Sequence, residues 1–77
     1  MGGTIGARHF VFELAEQKAA FIQVTTSSDQ ELRAKSYDEL ITLKQDVHGF
    51  SYQSGMYGPA KDQEDRIERT TTAKRSR

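Results

Sequence analysis

From His9 to Leu14 the side chains alternate. Phe10, Phe12 and Leu14 fall on one side and His9, Val11 and Glu13 on the other, which is the period of a half-buried strand. A second run, Ala20 to Thr26, is rich in β-branched residues and sets Ala20, Ile22 and Val24 against Phe21, Gln23 and Thr25. A third, Glu31 to Lys35, turns Leu32 and Ala34 inward and its charges outward. Pairing Glu16 with Ala20 across a short loop sets Phe12 opposite Val24 and Leu14 opposite Ile22. A one-residue slip would set Phe12 opposite Gln23. Ser27-Ser28-Asp29 closes the next hairpin in the same sense, bringing Val24 to Leu32 and Ile22 to Ala34.

The period then changes. Ser36 with Glu39 three positions on forms a capping box, and Asp38 and Glu39 place negative charge in a first helical turn. Leu40, Leu43 and Val47 recur at helical spacing, and Gly49 after His48 supplies a stop, so a helix is expected over residues 37–48. The expected fold is therefore α+β: a three- or four-stranded antiparallel meander packed by one helix, with a charged C-terminal tail. Phe50, Tyr52, Met56 and Tyr57, among Gly55, Gly58 and Pro59, fit a short fourth strand or a packed loop.

A competing pattern makes residues 8–24 one helix and the whole chain a helical hairpin, with Ser28 and Glu31 as a further capping box. Leu14 to Ala20 is rich in strong helix formers. Two features set this reading second. Phe12 and Val24 then fall on different faces, and Ile22-Gln23-Val24-Thr25-Thr26 is a poor helix end.

Pro59 can open a last helix, with Lys61–Asp65 and Asp62–Arg66 as i,i+4 pairs, but Ile67 is its only sizeable apolar residue. The division expected is a small α+β domain over 1–58, followed by a charged helix or disordered tail over 59–77 that stays outside the core. The order of strands before a single helix is loosely similar to the small YegP-like domains. Phe12-Glu13-Leu14 and the Ser28–Ser36 stretch stand where their first and third strands stand, but the glycine-isoleucine-serine-valine type ending of that family's helix is missing here.

Composition narrows the chemistry. Only 35% of the 77 residues are hydrophobic, so the core is thin. Cysteine is absent, which excludes disulfides, thiolate zinc sites and a cysteine nucleophile. The apolar runs are too short to cross a bilayer and no signal-like region opens the sequence, so a soluble, cytoplasmic protein is expected. A myristoylation start fails because Gly6 stands where that signal wants Ser or Thr. Net charge is zero but uneven. Residues 1–58 carry five basic and seven acidic side chains, residues 59–77 six and four.

No catalytic constellation is visible. His9 and His48 stand outside any metal or catalytic motif, and Asp46, His48 and Ser51 have the residue types of a triad at spacings that do not face one another on a helix. Gly55-Met56-Tyr57-Gly58 is superficially similar to the Gly-x-x-Gly loop of KH domains but holds no basic residue and precedes Pro59, so a turn is expected. No enzyme activity, cofactor or metal is expected.

What is left is binding. In the meander, Val11, Ala15 and Phe21 form an uncovered apolar strip, while Tyr52, Met56 and Tyr57 are interface-prone types in a glycine-flanked loop. Val11, Phe21, Tyr52, Met56 and Tyr57 are the expected partner-binding residues of a non-catalytic interaction protein, acting on a protein partner or on a second copy. Inhibitors and accessory proteins of viruses and mobile elements share this size and lack of motifs. The alternative is a weak nucleic-acid-binding module using Arg69, Lys74, Arg75 and Arg77.

Overall fold

The computed structural model describes the backbone of residues 2–75 and the side chains of residues 9–74. It consists of α1 (Gly2–Thr26), α2 (Asp29–Arg33), α3 (Tyr37–Ser54) and α4 (Gly58–Arg75), and no strand forms among the described residues. The α+β meander is therefore replaced by an all-helical bundle, and the similarity to YegP-like strand order disappears with it. The competing pattern has residues 8–24 helical, as they are within α1, but the chain forms four helices rather than a helical hairpin.

Why α1 accepts so many β-branched residues is visible at its end. Thr25 Oγ1 donates to the Phe21 carbonyl at 2.8 Å and Thr26 Oγ1 to the Ile22 carbonyl at 2.9 Å, so these hydroxyls are satisfied inside the helix. Val24 is fully buried, and tertiary burial outweighs a propensity deficit of under about 1 kcal/mol. The row that matters runs Leu14, Gln17, Phe21, Val24 at steps of three and four, with Ala20 beside it. The strand-like grouping of Phe10, Phe12 and Leu14 is not a face, since Phe12 points to solvent.

Ser28 then starts α2 with a complete capping box to Glu31, and Ser36 starts α3 with another to Glu39. The expected stop at Gly49 is corrected: α3 continues to Ser54 and ends on Gly55, whose φ of 71° is the left-handed conformation that favours glycine. Gly49 serves a different need. A Cβ there would lie 2.6 Å from Gln17 Nε2, so the missing side chain leaves room for the Gln17 amide against α3.

Helix α3 runs antiparallel to α1, with Gln17 beside Gly49 and the Phe21 and Phe50 rings 5.2 Å apart. It also runs antiparallel to α4, tied by His48–Glu64 and Lys44–Glu68 one turn apart. The core comprises Ala20 and Val24 of α1, Leu32 of α2, Leu40, Leu43 and Val47 of α3, and Ala60 and Ile67 of α4.

The segment from 59 onward was expected outside this core and is instead one of its walls. Ile67 is 0% exposed, and Thr70 and Thr71 are buried beside it. Their hydroxyls bond back to the Arg66 and Ile67 carbonyls, leaving the threonine methyls to act as apolar surface. The expected Lys61–Asp65 pair forms at 3.2 Å. Arg66 does not turn to Asp62; its guanidinium donates to the Val24 and Ser27 carbonyls, each at 2.7 Å, and to Asp29. One side chain thus closes the C-terminal end of α1 and fixes α4 against it.

Candidate functional site

The five expected partner-binding residues do not form one surface, although Tyr52 and Tyr57 line the same shallow pocket. Val11 is 63% exposed on α1, Tyr52 is 69% exposed on α3, and Tyr57 is 63% exposed at the start of α4. Phe21 is half-buried against the core and Phe50, and Met56 is half-buried in the turn, its N–H donating to the Ser51 carbonyl. The strip of Val11 with Phe21 belonged to the meander and has no counterpart on a helix, where these two point about 80° apart.

A different set of exposed apolar residues takes its place. Phe10, Val11 and Phe12 are consecutive and each about half exposed or more. Phe10 continues the core-facing row of α1 and is about half exposed there. With Gln17 level with Gly49 and the helices antiparallel, α3 runs out at Ser54 near Phe12. The residues of α1 before that point project by roughly 15 Å.

Between α1 and α3 lies an open groove of about 480 Å³, lined by Ala19, Ala20 and Leu43 along its floor and by Glu16, Asp38, Glu39 and Asp46 along its walls. No residue of α4 lines it. Burial, and then the Glu16 charge, raise the Asp46 carboxyl above its ordinary value. Glu39 moves the other way. The Ser36 backbone N–H and then its hydroxyl, with Lys35 and Lys74 nearby, hold its carboxyl below the ordinary value. Sequence reading missed this groove because it set Glu16 and Ala19 in a hairpin; on a helix, Phe12, Glu16, Ala19 and Gln23 form one row.

The imidazole of His48 sits inside α3 with Nδ1 2.6 Å from Glu64 Oε2. A shallow pocket of about 210 Å³ beside it is lined by Ser51, Tyr52, Tyr57 and Lys61. This has a base and its orienting carboxylate but no partner for acyl transfer. The Ser51 hydroxyl donates to the Met56 carbonyl and Lys61 pairs with Asp65. Asp46 lines the groove toward α1 while His48 meets α4, so the triad residue types are separated. His9 pairs with Glu13 one turn on, at 2.6 Å. Among the described residues no group of three or more histidines, aspartates or glutamates is placed to hold a metal ion.

At the other end, α2 brings Arg33 beside Arg69 and Thr70 around a small cavity of about 130 Å³. Neither arginine belongs to an ion pair among the described residues. Lys74 lies further along α4; Arg77 and the side chain of Arg75 lie outside the described residues. No sequence signal linked Arg33 to Arg69, because only the packing of α2 on α4 joins them.

Comparison with known protein families, curated proteins and solved structures finds no match. Among the described residues no helix is long and apolar enough to cross a membrane.

Proposed function

We propose that this chain is a non-catalytic interaction protein that binds a macromolecular partner through the projecting end of α1. The observation that supports it is the exposure of Phe10, Val11 and Phe12 around a helix end that outruns its neighbours, since three large apolar side chains together there are costly to leave in water. An accessory or inhibitor role of the kind found among viruses and mobile elements fits the reading, as does a cytoplasmic location. The test is a triple substitution, Phe10→Ser with Val11→Ser and Phe12→Ser, used as bait beside the wild type in the native host, with sedimentation to read self-association. Partners or dimers lost from the variant, with an unchanged helical spectrum, support the proposal. Identical captured proteins and identical mass for both baits would refute it.

A second reading, nucleic-acid binding, has one observation in its favour: Arg33 and Arg69 converge on one cavity, where Asp29 is paired with Arg66 and neither Arg33 nor Arg69 is in an ion pair among the described residues, with Lys74 beyond them. Deleting residues 69–77 is a poor test because it removes Thr70 and Thr71 from the core. Arg33→Ala with Arg69→Ala leaves the core intact and should abolish salt-sensitive retention on DNA or RNA. Absence of retention by the wild type would end this reading.

A further inference from the structure

We propose that the groove between α1 and α3 is the seat of an amphipathic helix of a partner protein, with lysine or arginine along its flanks and small or apolar side chains along its centre. The inference rests on the interaction-protein reading and gives it a partner chemistry.

Geometry supplies the first part of the case. α1 and α4 both pack against α3, and no residue of α4 lines the α1–α3 crevice, which leaves it uncovered on its far side. Small residues at Ala19 and Ala20 lower the floor of that crevice to Leu43, which leaves room for another backbone. The α1 row that borders it runs from Phe12, 65% exposed, through Glu16 and Ala19 to Gln23. That is about 16 Å, or three helical turns, the length over which a helix docks by residues at i, i+3 or i+4, and i+7.

Charge supplies the second part. Glu16, Asp38 and Asp46 stand on the walls with no ion pair among the described residues, and Lys35 is the only base on the lining. Glu16 and Asp46 face each other from opposite helices, and burial and then the Glu16 charge raise the Asp46 carboxyl above its ordinary value. A cationic side chain laid between them relieves their repulsion, whereas an acidic helix or a nucleic-acid backbone adds to it. An apolar floor between acidic walls thus matches a helix that is apolar at its centre and basic on both edges.

The test uses the full chain and a fluorescent synthetic helical peptide of roughly 16 residues, long enough for the groove, with alanine and leucine on one face and lysine on both flanks. A control peptide has the same composition scrambled so that no face is apolar. Anisotropy should show saturable binding of the first peptide only, weakened by salt, with backbone NMR shifts confined to residues 12–23 and 38–46. Glu16→Gln with Asp46→Asn should weaken binding about tenfold, two charge contacts' worth. Ala19→Trp, at an exposed position, should block the groove while the circular dichroism spectrum stays that of the wild type. Equal binding of the scrambled peptide, shifts elsewhere on the bundle, indifference to these variants, or self-association that the same variants abolish would overturn the proposal. If these results fail while the Phe10–Phe12 bait still loses its partners, the groove is wrong and the interaction reading stands.

Discussion

Replacing Ile67 by alanine separates a bundle that includes α4 from a domain that ends before it. Ile67 is completely buried among the side chains of three other helices, so truncation removes its transfer free energy and leaves a cavity. Substitutions of this kind cost about 2–5 kcal/mol. A chain of this length holds a total stability of roughly 4–12 kcal/mol, so the loss is a large share of it. At about 4–8 °C per kcal/mol for a small domain, the melting midpoint should fall by at least about 8 °C. The alternative has the opposite sign. On a solvated, fraying helix, alanine is the better helix former, and Ile67→Ala would be neutral or stabilising by a few tenths of a kcal/mol. Tyr52→Ala, on the surface of α3, is the control and should stay within about 0.5 kcal/mol. The assay is urea and thermal unfolding followed at 222 nm. A midpoint for Ile67→Ala equal to that of the Tyr52→Ala control would refute the packing of α4.

Arg66→Lys should destabilise by about 1–2 kcal/mol in the same urea assay, because an ammonium cannot fork to the Val24 and Ser27 carbonyls and to Asp29 together; an unchanged midpoint would deny that role. Gly55→Ala should cost about 1 kcal/mol from its left-handed backbone, read by the same melt. The folded-state pKa of Glu39 lies below its unfolded value, so its contribution to stability is present above the ordinary glutamate range and is lost as pH falls through the folded value. Glu39→Gln should flatten the acid limb of a stability–pH curve. The folded-state pKa of Asp46 is raised, so the native state binds that proton more readily and loses stability as pH rises through the carboxylate range. Asp46→Asn should therefore raise the melting midpoint at neutral pH and leave it unchanged in acid.

Local hydrogen bonding was legible in the sequence where it is made by neighbours. Both Ser-x-x-Glu boxes form, at Ser28 and at Ser36, and Pro59 lies in the first turn of the last helix. The failures share one cause, which is that tertiary contacts decide periodicity. Ile22 to Thr26 carries strand-forming residue types, yet Val24 is buried by other helices and the threonine hydroxyls find carbonyls one turn back. In α4 the buried row uses Ala60, Ile67, Thr70 and Thr71, so a count of large apolar residues sees only one. Gly49 reads as a stop until Gln17, 32 positions earlier, is known to lie over it. The candidate site was hidden for the same reason, since both the groove and the Arg33–Arg69 pair arise where helices far apart in sequence pack side by side.

The most direct test of the bundle is the pattern of backbone Cα secondary chemical shifts over residues 9–26 and 58–74 of the full chain. An uninterrupted helical sign through both stretches is the expected result. Strand-like signs from Ala20 to Thr26, or random-coil values around Ile67, would contradict the account.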